Sequence, residues 1–368
     1  MKILLLGEYS RVHTTLAAGL KCRGHQVTVC SNGDFWKNYP RDIDVSRPNG
    51  RWGGIQLLGR IARIFPQLCG YDIVQLINPL FFELRAERLF LLYKLLRRYN
   101  KRIVLGGFGM DYYWVHENIT RMPLRYSDFN IGSKLRNDKE AIRYTLDWCG
   151  TAKEKLNRLI ADDCDAIVTG LYEYWVCYQP VFPQKTSFIP YPIQPTMKPS
   201  DIPPHQGKLR LFLGINGNRS AYKGTDIMLK AATDIVARYP ERVALKVAKS
   251  LAFNEYMQAM EGEEAILDQL YSYTPSMNPL EAMAKGIICI GGGEPESYEI
   301  LQEKELHPII NVAPFYESVY NELEQLVIHP ERITPLRRQS IQYIMRHHDY
   351  LKVSAQYEQL YLSLLNTR

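Results

Sequence analysis

Two cations and a glycine stand directly before a predicted helix in the second half of the chain. Arg219 and Lys223 are four positions apart, and Gly224 begins an amphipathic run that predicts a helix over about 224–238. Backbone N–H groups at a helix start favour a bound anion, and two cations add charge-assisted hydrogen bonds. The loop is therefore a candidate phosphate site. On its own it is equally compatible with a solvated turn whose cations face water.

A candidate carboxylate follows in SMNPLEAMAKGIICIGGGEPES (276–297). Asn278 and Pro279 predict a helix start with Asn278 as N-cap, and Glu281 then completes a capping box. Alternatively, the Glu281 carboxylate accepts hydrogen bonds from the hydroxyls of a ribose, as acidic residues do in Rossmann-type sites. The glycines at 291–293 either let the backbone approach a ligand closely or form a permissive turn.

The elements that must position these residues alternate between short apolar runs and longer amphipathic stretches, which indicates parallel α/β sheets. Residues 13–24 have helical spacing and end at Gly24, a suitable C-terminal glycine. The predicted strands are 2–7, 25–30, 72–78, 102–107 and 165–170 in the first half, and 209–215, 244–249, 265–271, 287–292 and 308–312 in the second.

A proline-rich interval at 190–208 separates the two series. Its six prolines exclude a helix or a central strand and predict a linker. We therefore expect a first domain over 1–200 and a second over 206–345, with a C-terminal helical stretch over about 346–368.

Composition excludes several classes of protein. The net charge of +6 over 368 residues is too diffuse to indicate nucleic-acid binding. The seven cysteines are scattered without a CxxC pair, which favours reduced thiols in a cytoplasm and argues against a zinc site. No apolar run has the roughly 20 residues that cross a bilayer, and the opening MKILLLG is typical of a buried first strand. The sequence contains neither the GxGxxG motif of dinucleotide-binding folds nor a P-loop motif, so it supports neither a dehydrogenase nor an ATPase.

Taken together, three motifs resemble the donor half of GT-B glycosyltransferases, above all the retaining group called family 4. They are Arg-x3-Lys-Gly at 219–224, PLEAMAKG at 279–286 and GGGEPESYEIL at 291–301. The resemblance implies an α/β fold in which two Rossmann-like, doubly wound domains face a central cleft. It also implies a C-terminal helix that crosses back to the first domain.

The resemblance assigns Arg219 and Lys223 to the diphosphate of a nucleotide sugar and Glu281 to its ribose. Tyr273 stands where the family commonly has a glutamate that contacts the donor sugar, and tyrosine cannot supply a carboxylate. The implied donor-binding set is Arg219, Lys223, Gly224, Tyr273, Ser276, Asn278, Glu281, Gly291, Gly292 and Gly293.

Two candidate catalytic residues lie in the first half. GGFGMDYYWVH (106–116) places Asp111 and His116 in a predicted loop and resembles a segment on the acceptor side of the same enzymes. The alternative for Asp111 is a turn or helix cap. His13, with Glu8, follows the first strand on the side that faces the acceptor in this fold, and its alternative is a cap or surface residue.

The resemblance implies transfer of a hexose from a nucleotide sugar to a glycan or lipid-linked acceptor, with retention, in bacterial surface polysaccharide or lipopolysaccharide biosynthesis. Two cations and a helix start can stabilise the departing diphosphate without a metal, so we expect neither a metal nor another cofactor. An inverting enzyme with His13 or Asp111 as base, and a non-catalytic nucleotide-sugar-binding protein, remain the alternatives.

The segment 88–102 combines leucines with six cations. Leucine packing on the sheet is the favoured interpretation, and contact with an anionic membrane surface is the alternative. The expected location is cytoplasmic, with peripheral attachment to the inner face of the membrane if the alternative holds.

Overall fold

The computed structural model describes residues 1–215, 219–249 and 253–366. The strands in these ranges are β1 Lys2–Leu6, β2 Gln26–Ser31, β3 Ile43–Asp44, β4 Ile73–Leu76, β5 Arg102–Gly107, β6 Asn130–Ile131, β7 Lys134–Leu135, β8 Ala166–Thr169, β9 Thr186–Phe188, β10 Leu209–Ile215, β11 Val243–Lys249, β12 Ala265–Leu267, β13 Ile288–Gly291 and β14 Ile310–Asn311. The helices are α1 Val12–Cys22, α2 Gly53–Ile64, α3 Ala86–Tyr99, α4 Tyr112–Thr120, α5 Lys139–Trp148, α6 Ala152–Asp163, α7 Tyr172–Tyr178, α8 Ser220–Lys223, α9 Thr225–Arg238, α10 Phe253–Ala259, α11 Met277–Met283, α12 Pro295–Ile300, α13 Tyr316–Ile328, α14 Ile333–Tyr343 and α15 Tyr350–Asn366.

The chain divides into two compact units. The first comprises 1–123, 144–192 and 350–368, and the second comprises 124–143 and 193–349. This division differs from the predicted ranges mainly in residues 124–143, which belong to the second unit although the first surrounds them in sequence. Chain order alone carries no signal for such an exchange.

The first unit is built on a seven-stranded parallel sheet with the order β3-β2-β1-β4-β5-β8-β9. Chain order reverses between β1 and β4, as in doubly wound Rossmann sheets. Residues Ile3 to Leu6 are completely buried, because a central parallel strand is covered by helices on both faces. The apolar run at the start of the sequence is thus the first strand, as predicted.

Helices α1 and α15 pack against each other in the first unit. The helix α1 ends as predicted, with Gly24 at a φ of +84°. A Cβ on Gly19 would lie 2.6 Å from the Tyr350 carbonyl oxygen, so glycine permits the close approach of the two helices. The C-terminal helix therefore belongs to the first unit, as the resemblance implies.

The second unit contains a five-stranded parallel sheet with the order β11-β10-β12-β13-β14. Successive residues of β10 are buried on opposite faces: Leu211 and Leu213 contact one cluster, with Met228 of α9, and Phe212 contacts another, with Ala282 of α11. An apolar strand of this kind is typical of a sheet covered on both sides.

The leucines of the cationic segment 88–102 are mainly buried, as the favoured interpretation of leucine packing predicts. Leu89, Leu92 and Leu96 of α3 are buried, while Arg97 and Arg102 both pair with Asp165. These ion pairs account for part of the positive charge, and contact with a membrane stays a prediction. No helix within the described ranges combines the length and apolar character needed to cross a bilayer.

Candidate functional site

The predicted donor residues gather at one edge of the second sheet. Chain order reverses between β10 and β12, and ligands of open α/β sheets bind outside the carboxyl ends of strands at such a point. The cation loop, residues 219–224, follows β10. Tyr273 follows β12, and the glycine loop, residues 291–293, follows β13. Residues 216–218, which join β10 to the cation loop, lie outside the described residues.

The cation loop is a short helical turn held against the neighbouring loop. The Leu270 backbone N–H donates to the Lys223 carbonyl at 3.0 Å. Gly224 has a φ of +71°, and a Cβ there would lie 2.8 Å from Leu270 Cβ, so only glycine fits between the turn and α9. Arg219 and Lys223 are half-buried, and the Arg219 guanidinium lies 5.0 Å from the Tyr222 ring centre. Both cations therefore lie at the N-terminal end of a 14-residue helix.

The predicted capping box at Glu281 is wrong. Helix α11 begins at Met277 with Ser276 as N-cap, so the third helical position is Pro279 and Glu281 lies beyond the first turn. The Asn278 side chain instead donates to the Tyr256 hydroxyl at 3.0 Å. Half-buried Glu281 therefore has no capping-box role.

The glycine loop is buried against the protein's own backbone. A Cβ on Gly292 would lie 2.1 Å from the Ser272 carbonyl oxygen, and one on Gly293 would lie 2.7 Å from Ile309 Cγ2. None of the three glycines has a positive φ, so a permissive turn does not explain them. Close packing on the loop that follows β12 accounts for Gly292, and packing on Ile309 beside β14 accounts for Gly293.

Tyr273 is buried and in contact with residues 124–143. Its hydroxyl accepts a hydrogen bond from the Arg125 backbone N–H at 2.6 Å, and the Arg125 guanidinium lies 4.9 Å from its ring centre. Arg125 also pairs with Glu294 at 2.7 Å and with Glu296, while the Tyr126 hydroxyl donates to Glu294. Tyr273, which stands where the resembled family commonly has a glutamate, thus anchors residues 124–143.

Sequence reasoning missed this segment entirely. Residues 124–143 contain the hairpin β6–β7, whose turn includes Gly132 at a φ of +57°, and the start of α5. The Arg136 guanidinium donates to the Ala221 and Tyr222 carbonyls of the cation loop, both at 3.0 Å. The glycine in NIGS was a local hint of a hairpin. Nothing local indicated which sheet the hairpin contacts.

His13 and Glu8 lie inside the first unit. The Glu8 carboxylate accepts bonds from the His13 and Thr14 backbone N–H groups at 3.2 and 2.8 Å, which caps α1. The His13 ring contacts the Gly7 carbonyl and the Gln75 amide at 2.8 and 3.2 Å. Burial lowers the pKa of His13 to about 4 and raises that of Glu8 to about 7. A completely buried imidazole with both nitrogens occupied is a structural histidine in this state.

Asp111 is the N-cap of α4, which agrees with the interpretation of this residue as a helix cap. Its carboxylate accepts from the Trp114 backbone N–H and from the Tyr178 hydroxyl, both at 2.8 Å. Burial raises the pKa of Asp111 to about 7. The predicted loop position of His116 is wrong, because α4 includes this residue and its ring stacks on Tyr112.

The second-unit arrangement is suited to an anion. Two half-buried cations at the start of a long helix, whose dipole is positive at that end, can stabilise phosphate charge. Within the described ranges, no group of three or more His, Cys, Asp or Glu side chains could hold a metal ion.

Comparison with known proteins defines the fold. No protein-family model matches the sequence, and no curated protein sequence matches it. Among solved structures, the chain is similar to sucrose-phosphate synthase from Thermosynechococcus elongatus, with a TM-score of 0.60, 13% identity and 100% of each chain covered. It is also similar to Anabaena Alr3699/HepE in complex with UDP-glucose, with a TM-score of 0.60, 11% identity and coverage of 99% of this chain and 100% of the other.

A third similar structure is the catalytic domain of starch synthase IV from Arabidopsis thaliana, bound to ADP and acarbose. Its TM-score is 0.57, with 10% identity and 99% of each chain covered. These likenesses extend over whole chains and agree with the two parallel sheets. The chain has the GT-B fold.

Proposed function

We propose that this protein is a glycosyltransferase that moves a hexose from a nucleoside diphosphate sugar to a glycan or lipid-linked acceptor. The observation that carries the proposal is the common edge of β10, β12 and β13, where the loops with the predicted donor residues contact one another. Two of the three similar structures contain UDP-glucose or ADP with acarbose, which supports a nucleotide-sugar donor.

In this proposal Arg219 and Lys223 bind the diphosphate and Glu281 binds the ribose hydroxyls. Charge that develops on the departing diphosphate is stabilised by the two cations and by the N-terminus of α9. This arrangement needs no metal ion. Transfer with retention follows the resembled family, in which the leaving phosphate itself takes the acceptor proton, so no side-chain base is required.

The inverting alternative needs a base that reaches the acceptor. His13 and Asp111 are both completely buried, and each is held by two hydrogen bonds. Their catalytic roles stay predictions without geometric support in this state. The retaining route is therefore the one we propose.

A non-catalytic nucleotide-sugar-binding role is the second candidate. The observation in its favour is Tyr273, whose side chain anchors residues 124–143 and is not a carboxylate. Turnover of a donor with any acceptor would exclude this role. A role in bacterial surface polysaccharide or lipopolysaccharide synthesis is part of the proposal only through the resemblance.

A thermal-shift screen over UDP-, GDP- and ADP-linked hexoses tests the proposal, since a ligand that binds only the folded state raises the melting temperature. We expect one nucleotide class to give a clear shift. The stabilising donor is then incubated with candidate acceptors, and NMR of the product anomer distinguishes retention from inversion. Absence of any shift across the screen would contradict the donor site.

A further inference from the structure

The peptide groups on both sides of Lys223 are held by hydrogen bonds. The carbonyl of Tyr222, in the peptide group before Lys223, accepts a bond from the Arg136 guanidinium at 3.0 Å. The carbonyl of Lys223 itself, in the peptide group after it, accepts a bond from the Leu270 backbone N–H at 3.0 Å. Because a peptide group is planar, fixing both of them restricts the two backbone dihedral angles of Lys223 and the direction of its Cα–Cβ bond. Arg136 therefore helps to set the point from which the Lys223 side chain extends.

The Arg136 guanidinium is itself held in place. The Arg136 side chain is 7% exposed, and it donates to the Ala221 carbonyl at 3.0 Å and pairs with Asp138 at 3.1 Å. The guanidinium also lies 3.5 Å from the Tyr271 ring centre, a close cation–π contact. A planar guanidinium can bond to several acceptors in fixed directions while its face contacts a ring, whereas a lysine ammonium group is a point charge on a flexible stem. The cation loop is therefore held by a side chain of defined position.

The ring of Tyr222 connects Arg136 with the second cation of the loop. Tyr222 is buried, and its ring centre lies 5.6 Å from the Arg136 guanidinium carbon and 5.0 Å from that of Arg219. Both guanidinium groups thus contact the same ring. Any displacement of Tyr222 that follows the loss of Arg136 would also change the surroundings of Arg219. Arg136 is in this way linked to both cations that we assign to the diphosphate.

The charge of Arg136 is directed at groups of the protein itself. Carbonyl oxygens carry partial negative charge, which disfavours an anion nearby, and two of them in the cation loop are covered by Arg136. The charge of Arg136 is also balanced by that of Asp138. On this basis, and resting on the function proposed above, we propose that Arg136 is a positioning residue of the donor site. It holds the cation loop in the conformation that presents Arg219 and Lys223 to the diphosphate, without binding the diphosphate itself.

Binding of inorganic pyrophosphate to variants of Arg136 tests this proposal. Pyrophosphate has neither base nor sugar, and isothermal titration calorimetry measures its affinity. Arg136→Ala releases the two loop carbonyls, and we expect it to weaken pyrophosphate binding about tenfold. Arg136→Lys keeps the charge but not the planar donor group, so we expect it to bind about fivefold more weakly than the unmodified protein. Full affinity in the lysine variant would assign the effect to charge and would overturn the positioning role.

Melting temperatures without ligand separate positioning from a purely structural role. A merely structural arginine would lower the melting temperature and leave the pyrophosphate affinity of the folded protein unchanged. Arg136→Lys retains the charge and the aliphatic stem, so it provides a second variant in case Arg136→Ala does not fold. Unchanged affinity in the folded variants would therefore contradict the proposal even if their melting temperatures fall.

Arg143→Ala is the matched control. Arg143 belongs to the same segment, residues 124–143, and the substitution removes the same charge. Its side chain is 59% exposed and pairs with Glu140 of α5. Because exposed ion pairs contribute little, we expect pyrophosphate affinity to change less than about twofold. A loss as large as that of Arg136→Ala would assign the effect to the net charge of the segment and would contradict the positioning role.

A double-mutant cycle tests whether Arg136 acts through the two cations. If it does, Arg136→Ala should weaken pyrophosphate binding less in the Lys223→Ala and Arg219→Ala backgrounds, by about threefold in place of about tenfold. A full loss in both backgrounds would show that Arg136 acts independently of the cations and would overturn the proposal.

The same measurements separate this proposal from the proposed function. Unchanged binding in both Arg136 variants, while Lys223→Ala weakens binding, would overturn the positioning role alone. Unchanged binding in both Arg219→Ala and Lys223→Ala would contradict the diphosphate assignment itself. Absence of pyrophosphate and UDP binding in the unmodified protein would contradict both.

Discussion

The carboxyl ends of the two parallel sheets carry polar side chains that the two units use differently. In the first unit, Glu8, His13 and Asp111 are buried and bonded to backbone groups or to buried side chains. In the second unit, Arg219 and Lys223 are half-buried at a helix start, in a loop whose carbonyl groups accept hydrogen bonds from Arg136. Polar residues at the strand ends are therefore part of the packed interior in the first unit, whereas the two cations of the second unit stay partly exposed.

Burial and bonding explain the difference. A buried acid or imidazole must be hydrogen-bonded, and once its atoms are engaged by helix ends it is part of the fold. A half-buried cation keeps part of its hydration and can exchange partners when an anion arrives. We therefore expect substitutions of these buried residues in the first unit to lower mainly the free energy of unfolding. Substitutions of the two cations in the second unit should lower mainly the affinity for the ligand.

The largest effect is expected from the Arg219→Ala/Lys223→Ala double variant. Each cation contributes charge-assisted bonds, and single losses of about ten- to a hundredfold in donor affinity combine to about a hundredfold or more. Calorimetry with the stabilising nucleotide sugar measures this loss. Far-UV circular dichroism should be unchanged. Loss of folding together with binding would place these cations in the same class as the first-unit residues.

Asp111→Ala should lower the free energy of unfolding by about 2–4 kcal/mol, because it removes a helix cap and leaves the Tyr178 hydroxyl without its acceptor. Asp111→Asn retains an acceptor oxygen and should cost about 1 kcal/mol. Urea unfolding of both variants measures the difference. An Asp111→Ala variant of normal stability with abolished transfer would restore Asp111 as a catalytic residue.

The pH dependence of stability tests the burial of Glu8. Its pKa is about 7 in the folded protein and near 4.5 in the unfolded chain, so the folded state binds more protons between these values. The Glu8 contribution is therefore complete below pH 4.5 and is lost as the pH rises to about 7. Asp111 acts in the same direction, whereas His13, with its pKa lowered to about 4, acts in the opposite one.

Glu8→Gln should accordingly reduce the fall in unfolding free energy between pH 5 and 7, by on the order of 1–2 kcal/mol. Urea unfolding at the two pH values, with the unmodified protein in parallel, isolates the Glu8 term because Asp111 and His13 are present in both. Identical pH dependence in the two proteins would mean that Glu8 is not a buried acid.

The smallest effect is expected from Glu281→Gln, which should weaken nucleotide-sugar binding about tenfold. Inorganic pyrophosphate, which has no ribose, provides the control and should bind the variant and the unmodified protein equally. The structure excludes a capping-box contribution, so the variant should remain folded. Equal loss for both ligands would assign Glu281 to the shape of the site instead of to the ribose.

Local signals in the sequence predicted most strands of the two parallel sheets, whereas the short edge strands β3 and β9 were not predicted. Apolar runs bounded by glycine or proline lie where the strands lie, and Gly24 ends α1 because its positive φ suits only such a residue. The cation loop and the glycine loop were found from their residue types. Neighbouring strands then bring them together, which the order of strands in a doubly wound sheet makes predictable.

Contacts between distant residues were not predictable. Helix α11 begins at Met277 with Ser276 as N-cap, although Asn278 is an equally favoured N-cap residue by type. The segment 124–143 contacts the cation loop through the side chain of Arg136, about 85 positions away in sequence. Neither the start of α11 nor the contact between residues 124–143 and the cation loop is indicated by a pattern of neighbouring residues in the sequence.

The most direct test of the account is a crystal structure of the protein with UDP or GDP bound. We expect the diphosphate to lie within hydrogen-bonding distance of the Arg219 and Lys223 side chains and the pentose hydroxyls to contact Glu281. A nucleotide bound elsewhere, or phosphates that touch neither cation, would contradict it.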